Sequence, residues 1–301
     1  MTSFSITPGY TRNMASSRLR AYVLGESLIE LGHDVHVGPP ILGADVHLFQ
    51  KPKDLSEFLT FPGEVKIFDF VDVTQKGNLK RLGGRADFVT TSSDNLRDWY
   101  MGFPGHAPCY TLPDPIDYSL RPLPLVDHGA RKIAFFGNDK NYHRSLRKIH
   151  KAIILNTDWE VHLIMAERAR ANPWLPQTVF HQWRLDNFVE TLRECSVAVL
   201  NHRNLLTKSD NKISVCASAG LPVIVSQSPS SHRRLEEIGC PQWGADTPRK
   251  VVGLLKKMQD REFRLQGLKE AQARVWEDRN PIVIAEKFLE ILGEYLDSSK
   301  N

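Results

Sequence analysis

Residues 208–227, KSDNKISVCASAGLPVIVSQ, constrain the fold of this chain more than any other stretch. A polar loop with lysines precedes small residues, a Gly-Leu-Pro turn and an apolar run. Small side chains let a helix pack closely on a sheet, and Gly220 suits the helix end because glycine tolerates a left-handed backbone. The run 223–225 is apolar on both faces, as in a parallel strand covered by helices. The stretch therefore predicts a helix, a turn and a buried strand of an α/β sheet.

Two lysines and an asparagine, Lys208, Asn211 and Lys212, lie at the start of this predicted helix. Unpaired backbone N–H groups and the helix dipole favour an anion at such a position. The positive side chains favour it further, so the simplest occupant is a phosphate or a diphosphate. A solvated helix start without a ligand is the alternative.

Length and composition indicate a soluble, cytoplasmic two-domain enzyme. The 301 residues suffice for two domains, and 41% hydrophobic with 25% charged residues is ordinary for a globular protein. No apolar run reaches the ~18 residues of a membrane span, so we expect no integral membrane segment. The N-terminal MTSFSITPGY lacks a secretory pattern. The four cysteines are widely spaced without a C-x-x-C pair, so we expect neither disulfides nor a bound metal.

The formal charge of +4 is mild, and its simplest interpretation is a solvated surface. Basic residues nevertheless cluster near predicted strand-to-helix turns, which favours polyphosphate binding over a continuous stripe along a duplex. The three clusters are Arg12, Arg18 and Arg20; Lys132, Lys140, His143, Arg144, Arg147 and Lys148; and His232, Arg233 and Arg234.

Strands alternate with helices along both halves of the chain, which predicts two α/β domains. A proline-rich segment, 112–125, divides them as a linker. We expect a first domain over 1–125, a second over 126–280, and a C-terminal helix over 281–301 that packs back towards the first. The predicted strands are 4–7, 33–37, 46–49, 65–70, 88–91 and 109–112 in the first half, and 131–137, 159–165, 179–183, 197–201 and 223–226 in the second.

The loop after the first strand does not have the dinucleotide-binding pattern, because only Gly9 stands where three glycines are needed. Ser17 and Arg18 follow at the start of a predicted helix, where they suit an anionic or hydroxyl-rich ligand. A plain helix cap with solvated arginines is the alternative.

Two carboxylates, Asp69 and Asp72, lie where the predicted strand 65–70 ends. Open α/β sheets bind ligands at this edge, so either carboxylate is a candidate base or substrate-orienting group. The alternative is that they cap the next turn and hold nearby arginines.

Four motifs of the chain carry a family resemblance. They are SSRLRAYVLGESLIELGHDVHV; VTTSSDNLRDWY followed by YTLPDPIDY; KIAFFGN; and KSDNKISVCASAGLPVIVS. Together they resemble the GT-B glycosyltransferases, in particular the retaining, group 1 or family 4-like members. The first resembles the first helix and second strand of that family, the second the end of its first domain, and the third the first strand of its nucleotide-sugar domain. The fourth resembles the donor-binding helix and strand, and it is the most specific of the four.

The resemblance implies two Rossmann-like α/β domains facing each other across a cleft. It also implies transfer of a hexose or pentose from a UDP- or GDP-linked donor to a hydroxyl of a glycan, a small molecule or modified DNA. Retention of configuration and the absence of a permanent cofactor are further expectations. The implied catalytic residues are Asp69, Asp72, Arg144 and Lys212; the donor-binding residues are Gly137, Asn138, His143, Lys208, Asn211, Ser230 and Ser231; and the acceptor-binding residues are Gly9, Ser17 and Arg18.

The sequence departs from the family pattern at the donor helix. Retaining members carry a glutamate that holds the ribose hydroxyls, and the matching position here is Val215. A second acidic position upstream corresponds by spacing to Thr207. An apolar side chain cannot accept those hydrogen bonds, so the ribose must be held elsewhere or the donor must be unusual.

Three other functions are compatible with these patterns. A DNA-modifying glycosyltransferase acting on hydroxylated bases would use the basic clusters on the phosphate backbone, and its affinity would fall steeply with salt. A non-catalytic nucleotide- or sugar-binding protein would account for Val215. A sugar-nucleotide epimerase of similar architecture agrees less well with the short first half.

Overall fold

The structure is a computed structural model that describes residues 1–51, 55–71, 84–137, 142, 146–166, 175–200, 209–226 and 228–299. The chain forms two compact units. The N-terminal unit comprises Met1–Tyr118, Leu206–Asn211 and Glu277–Asn301, and the C-terminal unit comprises Ser119–Leu205 and Lys212–Trp276. The chain passes from the first unit to the second inside the proline-rich segment 112–125.

The N-terminal unit is built on a six-stranded sheet of order β2-β1-β3-β4-β5-β6. All neighbouring strands are parallel. The chain turns to the other side of β1 after β2, so the topological switch point lies between β1 and β3. The strands are β1 Ser3–Thr7, β2 Asp34–Val37, β3 Val46–Gln50, β4 Val65–Phe70, β5 Phe88–Thr91 and β6 Cys109–Thr111.

Helix α1 of this unit has three consecutive segments, of which Arg18–Val23 is π-helical. The flanking segments are Ala15–Ser17 and Leu24–Glu30. The other described helices are α2 Leu55–Thr60, α3 Asp94–Met101 and the C-terminal α11 Pro281–Ser298. Apolar residues of α11, including Ile284 and Phe288, are buried in one cluster with Leu24 and Leu28 of α1. The last helix therefore completes the core of the N-terminal unit.

The C-terminal unit contains a five-stranded parallel sheet of order β11-β10-β7-β8-β9. Along the chain, β8 and β9 are added on one side of β7, and β10 and β11 are then added on its other side. The switch point therefore lies between β7 and β10. The strands are β7 Lys132–Phe136, β8 Glu160–Met165, β9 Thr178–Gln182, β10 Val197–Leu200 and β11 Val223–Val225.

Helix α6, Asn211–Ser218, connects β10 to β11 and is short because Gly220 ends it. Gly220 has φ of +72°, and a Cβ there would lie 2.4 Å from the Pro124 carbonyl oxygen. Only glycine satisfies both requirements. The remaining helices are α4 Arg147–Asn156, α5 Phe188–Arg193, α7 Pro229–Glu237, α8 Pro248–Lys257, α9 Arg261–Leu265 and α10 Leu268–Arg279.

The predicted α/β class is confirmed, since both sheets are parallel and helices connect their strands. Cys216, Ala217 and Ala219 are fully buried, as the packing of a small-residue helix on a sheet requires. Within the described residues, no helix is both long and apolar enough to cross a membrane.

Candidate functional site

Lys212 lies in the first turn of α6 and reaches the carboxyl end of β7. Its Nζ donates a hydrogen bond of 2.7 Å to the Phe136 carbonyl oxygen and lies 5.2 Å from the centre of the Phe136 ring. The ammonium group is thus held beside the last residue of β7. Phe136 is followed directly by Gly137, which the sequence also predicted as a donor-binding residue.

Gly137 has φ of +152° and lies directly against the lysine. A Cβ at this position would be 2.5 Å from Lys212 Nζ. A larger residue would therefore displace the ammonium group and adopt an unfavourable backbone conformation. The sequence did not reveal this contact, because 74 residues lie between Gly137 and Lys212 in the chain.

The pairing of Lys212 with β7 lies at the switch point of the C-terminal sheet. Open parallel sheets bind ligands at the carboxyl ends of the strands on either side of such a point. Backbone N–H groups at the start of α6 have no partner inside the helix, so they favour an anion together with the lysine. The C-terminal unit thus contains an ammonium group, a helix start and a glycine that permits close approach.

The residues just before α6 are fixed within the N-terminal unit. The Asn211 backbone N–H donates to Ser209 Oγ at 3.2 Å, and Ser209 Oγ donates to the Asp114 carboxylate. Asp210 accepts from Arg279 at 3.1 Å. The carboxylates therefore hold this segment, and the half-buried Asn211 side chain stands at the helix start.

Ser230 and Ser231 lie in the first turn of α7, after β11. Both are buried, and the Ser231 N–H donates to Ser228 Oγ at 3.4 Å. Ser228 is therefore the N-cap of α7, a role that the sequence analysis missed. Its position directly before Pro229 is the signal that would have identified it, because proline favours the first position of a helix.

Gly9 and Ser17 come together through Gln50 at the switch point of the N-terminal sheet. Gln50 Oε1 accepts from the Gly9 N–H at 3.0 Å and from Ser17 Oγ at 2.9 Å. Ser17 Oγ also accepts from the Tyr10 N–H at 3.0 Å. The loop after β1, the start of α1 and the end of β3 are thus joined by one amide side chain.

The sequence analysis missed Gln50, although a polar residue at the end of the otherwise buried strand VHLFQ was a usable signal. Gln50 is fully buried, and its Nε2 has no hydrogen-bond partner in the described part of the chain. Buried amides rarely lack a partner, so the Gln50 Nε2 group is a candidate donor to a bound ligand or water.

Asp69 lies at the end of β4, as predicted, but its carboxylate is buried and fully engaged. Arg20 Nε donates to Oδ2 at 2.7 Å, and Thr90 Oγ1 donates to Oδ1 at 2.7 Å. Arg20 in turn donates to Asp114 at 3.1 Å and to the Leu112 carbonyl oxygen at 2.6 Å. The carboxylates raise the pKa of Arg20 even though burial opposes its charge. This geometry matches the interpretation that Asp69 holds an arginine.

Arg18 is also part of an ion pair within the N-terminal unit. Its Nε donates to Asp117 at 2.8 Å, and both side chains are largely buried. Of the first basic cluster, Arg18 and Arg20 are therefore engaged by carboxylates, and Arg12 pairs with Glu26 at 2.5 Å. These partners argue against a shared polyphosphate site for the cluster.

Val215 is half-buried within α6, where the resemblance would place a glutamate. Its neighbour Cys216 is fully buried, and burial raises the pKa of the Cys216 thiol. All four cysteines are free. Five predicted site residues lie outside the described residues: Asp72, Asn138, His143, Arg144 and Lys208.

Neither a family model nor a curated protein matches this chain in sequence. Solved structures match it closely in fold. An alpha-glucosyltransferase in complex with UDP has a TM-score of 0.72 at 9% identity over 97% of this chain and 100% of that one. A glycosyltransferase from Rickettsia africae has a TM-score of 0.72 at 8% identity over 98% of each chain.

A third match is an alpha-glucosyltransferase in complex with UDP and a 13-mer DNA containing an HMU base. Its TM-score is 0.70 at 11% identity, over 97% of this chain and 99% of that one. Identities this low establish the fold alone. Since the matches extend over nearly the whole of each chain, this protein has the GT-B fold of glycosyltransferases.

Proposed function

We propose that the protein is a glycosyltransferase that uses a nucleoside-diphosphate sugar. The observation that carries the proposal is the position of Lys212, 2.7 Å from the Phe136 carbonyl oxygen at the switch point of a GT-B C-terminal unit. Two similar structures contain UDP, which supports a UDP-linked donor over a GDP-linked one.

In this proposal the C-terminal unit stabilises the diphosphate leaving group. Negative charge develops on the diphosphate as the bond to the sugar breaks, and fixed cations and backbone N–H groups lower the barrier. Lys212 supplies the cation, and α6 supplies the N–H groups. Lys208, Asn138, His143 and Arg144 remain proposed contributors from the sequence, and Asn211 would orient the diphosphate.

Ser230 and Ser231 remain proposed donor contacts, with a narrower role for Ser231. Its backbone N–H already has Ser228 Oγ as an acceptor at 3.4 Å, a long hydrogen bond that a better acceptor would replace. Val215 cannot hold the ribose, so we assign that contact to backbone or loop groups instead.

We propose that the N-terminal unit binds the acceptor through the loop joined by Gln50. Gly9 and Ser17 are the predicted acceptor-binding residues at this position, and their hydrogen bonds to Gln50 fix the loop at the strand ends. Ion pairs of Asp69 with Arg20 and of Arg18 with Asp117 stabilise the same unit. Asp72 then remains the proposed base or substrate-orienting carboxylate. Retention of configuration is proposed from the resemblance.

A thermal-shift screen of UDP, GDP and their sugars tests the proposed donor site. We expect UDP and a UDP-sugar to raise the melting temperature of the wild type and to have a much smaller effect on Lys212→Ala. A hydrogen bond to a charged group contributes about 1.5–3 kcal/mol, so the affinity should fall roughly ten- to hundred-fold. Lys250→Ala is the control, because Lys250 is exposed and pairs only with Asp246 among the ion pairs described. Stabilisation by no nucleotide would reject the donor site.

Modified DNA is the second candidate acceptor, favoured by the close match to a structure that contains both UDP and HMU-bearing DNA. Duplexes with and without a hydroxymethylated base should then differ as acceptors of labelled sugar. Binding to the duplex should also weaken steeply as salt is raised. If neither duplex accepts sugar at any salt concentration, a glycan or a small molecule remains as the proposed acceptor.

A further inference from the structure

A cluster of ligand-type side chains lies in the C-terminal unit, apart from Lys212 and Gly137 in the sequence and on other strands. It consists of His162 on β8, His181 on β9 and Glu194 just after α5. Each side chain offers one ligand atom, and the three atoms lie within 4.8 Å of one another. The proposed donor chemistry uses none of these residues.

The parallel pairing of β8 and β9 brings the two histidines together. Ile164 is the register partner of His181, and His162 is two residues before Ile164 on the same face of the sheet. His162 Nδ1 and His181 Nε2 are 2.8 Å apart, and the planes of the two rings differ by 17°. Glu194 follows the last residue of α5 and is exposed, so solvent and ions can reach the cluster.

Glu160 orients the buried member of the cluster. It lies two residues before His162 on β8, and its carboxylate lies 2.5 Å from His162 Nε2. A carboxylate accepts, so the proton of the neutral ring is on Nε2 and the Nδ1 lone pair points to His181. A carboxylate that accepts from the second nitrogen of a histidine is the usual arrangement around metal-binding histidines.

We propose that His162, His181 and Glu194 bind one zinc ion, with solvent as the fourth ligand. Two imidazoles and one carboxylate suit zinc, whereas magnesium and calcium prefer oxygen ligands. Ligand atoms at about 2.1 Å from a tetrahedral ion are separated by roughly 3.4 Å. The two histidine nitrogens, 2.8 Å apart, therefore need to separate by about half an ångström. The proton that His181 Nε2 donates to His162 Nδ1 must move to His181 Nδ1, so that both facing nitrogens offer a lone pair to the ion. The ion would join β8, β9 and the end of α5, and so stabilise the C-terminal unit.

Zinc titration of chelator-treated protein tests this site without any use of activity. We expect calorimetry to show one zinc ion per chain, a rise in melting temperature, and visible absorption of tetrahedral cobalt when Co²⁺ replaces zinc. Magnesium should produce none of these effects. UDP binding should be unaffected, so failure of this site and failure of the donor site are distinguishable.

Two substitutions at accessible ligands separate a metal site from a hydrogen-bonded histidine pair. His181→Gln and Glu194→Gln should each weaken zinc binding at least tenfold and abolish the cobalt absorption. His232→Gln is the matched control, because His232 is exposed on α7 beside Glu236 and should bind zinc as the wild type does. Absence of one-to-one binding, or unchanged zinc affinity in both ligand variants, would overturn the proposal.

Discussion

Replacement of Asp69 by asparagine distinguishes a structural carboxylate from a catalytic one. Asp69 is 1% exposed and accepts from both Arg20 and Thr90. Asparagine has nearly the same size but leaves Arg20 with less negative charge around it. Removing one partner of a buried ion pair costs about 3–5 kcal/mol, and Asp114 still faces Arg20 at 3.1 Å, so we expect about 3 kcal/mol. At roughly 2–4 °C per kcal/mol, the melting temperature should fall by about 6–12 °C.

Circular dichroism on heating measures the stability change, and donor turnover well below the transition measures the activity of the folded variant. We expect a large loss of stability with turnover close to that of the wild type. Asp98→Asn is the control, since Asp98 pairs with Arg97 on the surface and should change neither quantity much. An unchanged melting temperature combined with a loss of turnover of a hundredfold or more would refute the structural role of Asp69.

Two further predictions concern the C-terminal unit. Gly137→Ala should weaken UDP binding and destabilise the protein by about 1–3 kcal/mol, because the new Cβ would lie 2.5 Å from Lys212 Nζ and the backbone has φ of +152°. Gly253→Ala is the control: a Cβ there has open space in the middle of α8, so the change should be neutral or stabilising. Calorimetry measures UDP binding to both variants, and urea unfolding measures their stability. Burial lowers the pKa of His150 from 6.5 to about 4, so the unfolded chain takes up the proton first. The contribution of His150 to the free energy of unfolding should be fully present above pH 6.5 and should fall by up to roughly 3 kcal/mol as the pH drops towards 4. Over this range the urea midpoint of the wild type should therefore fall more steeply than that of His150→Gln.

The sequence predicted α6, β11 and the turn between them because their determinants are local. Small residues, Gly220 and Pro222 each act within a few positions of where they stand, and the strand 223–225 is apolar throughout. Lys212 could be placed near an anion for the same reason, since a helix start and its dipole are defined by neighbouring residues. Its contact with Phe136 could not be predicted, because it depends on the packing of α6 beside β7.

Side-chain pairings between distant segments were not predictable from residue patterns. The sequence analysis placed Arg20 in a basic cluster that favoured polyphosphate binding, yet the π-helical segment Arg18–Val23 places it against Asp69 on β4. Burial with two carboxylates depends on the tertiary fold, and neither strand nor helix periodicity encodes it. The same holds for Gln50, whose amide joins Gly9 to Ser17.

The proposed zinc site illustrates the same limit. The sequence analysis looked for cysteines in close pairs and expected no metal, because closely spaced ligands are the signature visible in a sequence. His162 and His181 lie on different strands, and only the register of β8 and β9 brings a nitrogen of one ring to 2.8 Å from a nitrogen of the other. The only local sign of the cluster in the sequence was Glu160, which lies two residues before His162 on the same strand and contacts its ring.

Release of nucleoside diphosphate from a sugar donor tests the central proposal most directly. Purified protein is incubated with UDP-sugars and GDP-sugars, with a panel of hydroxyl acceptors that includes hydroxymethylated DNA, and both the released nucleotide and the glycosylated product are quantified. We expect one donor to give equal amounts of nucleotide and product, at a rate at least tenfold lower in Lys212→Ala and unchanged in Lys250→Ala. Binding of a donor without cleavage under every condition, or equal rates in Lys212→Ala and the wild type, would contradict the proposal.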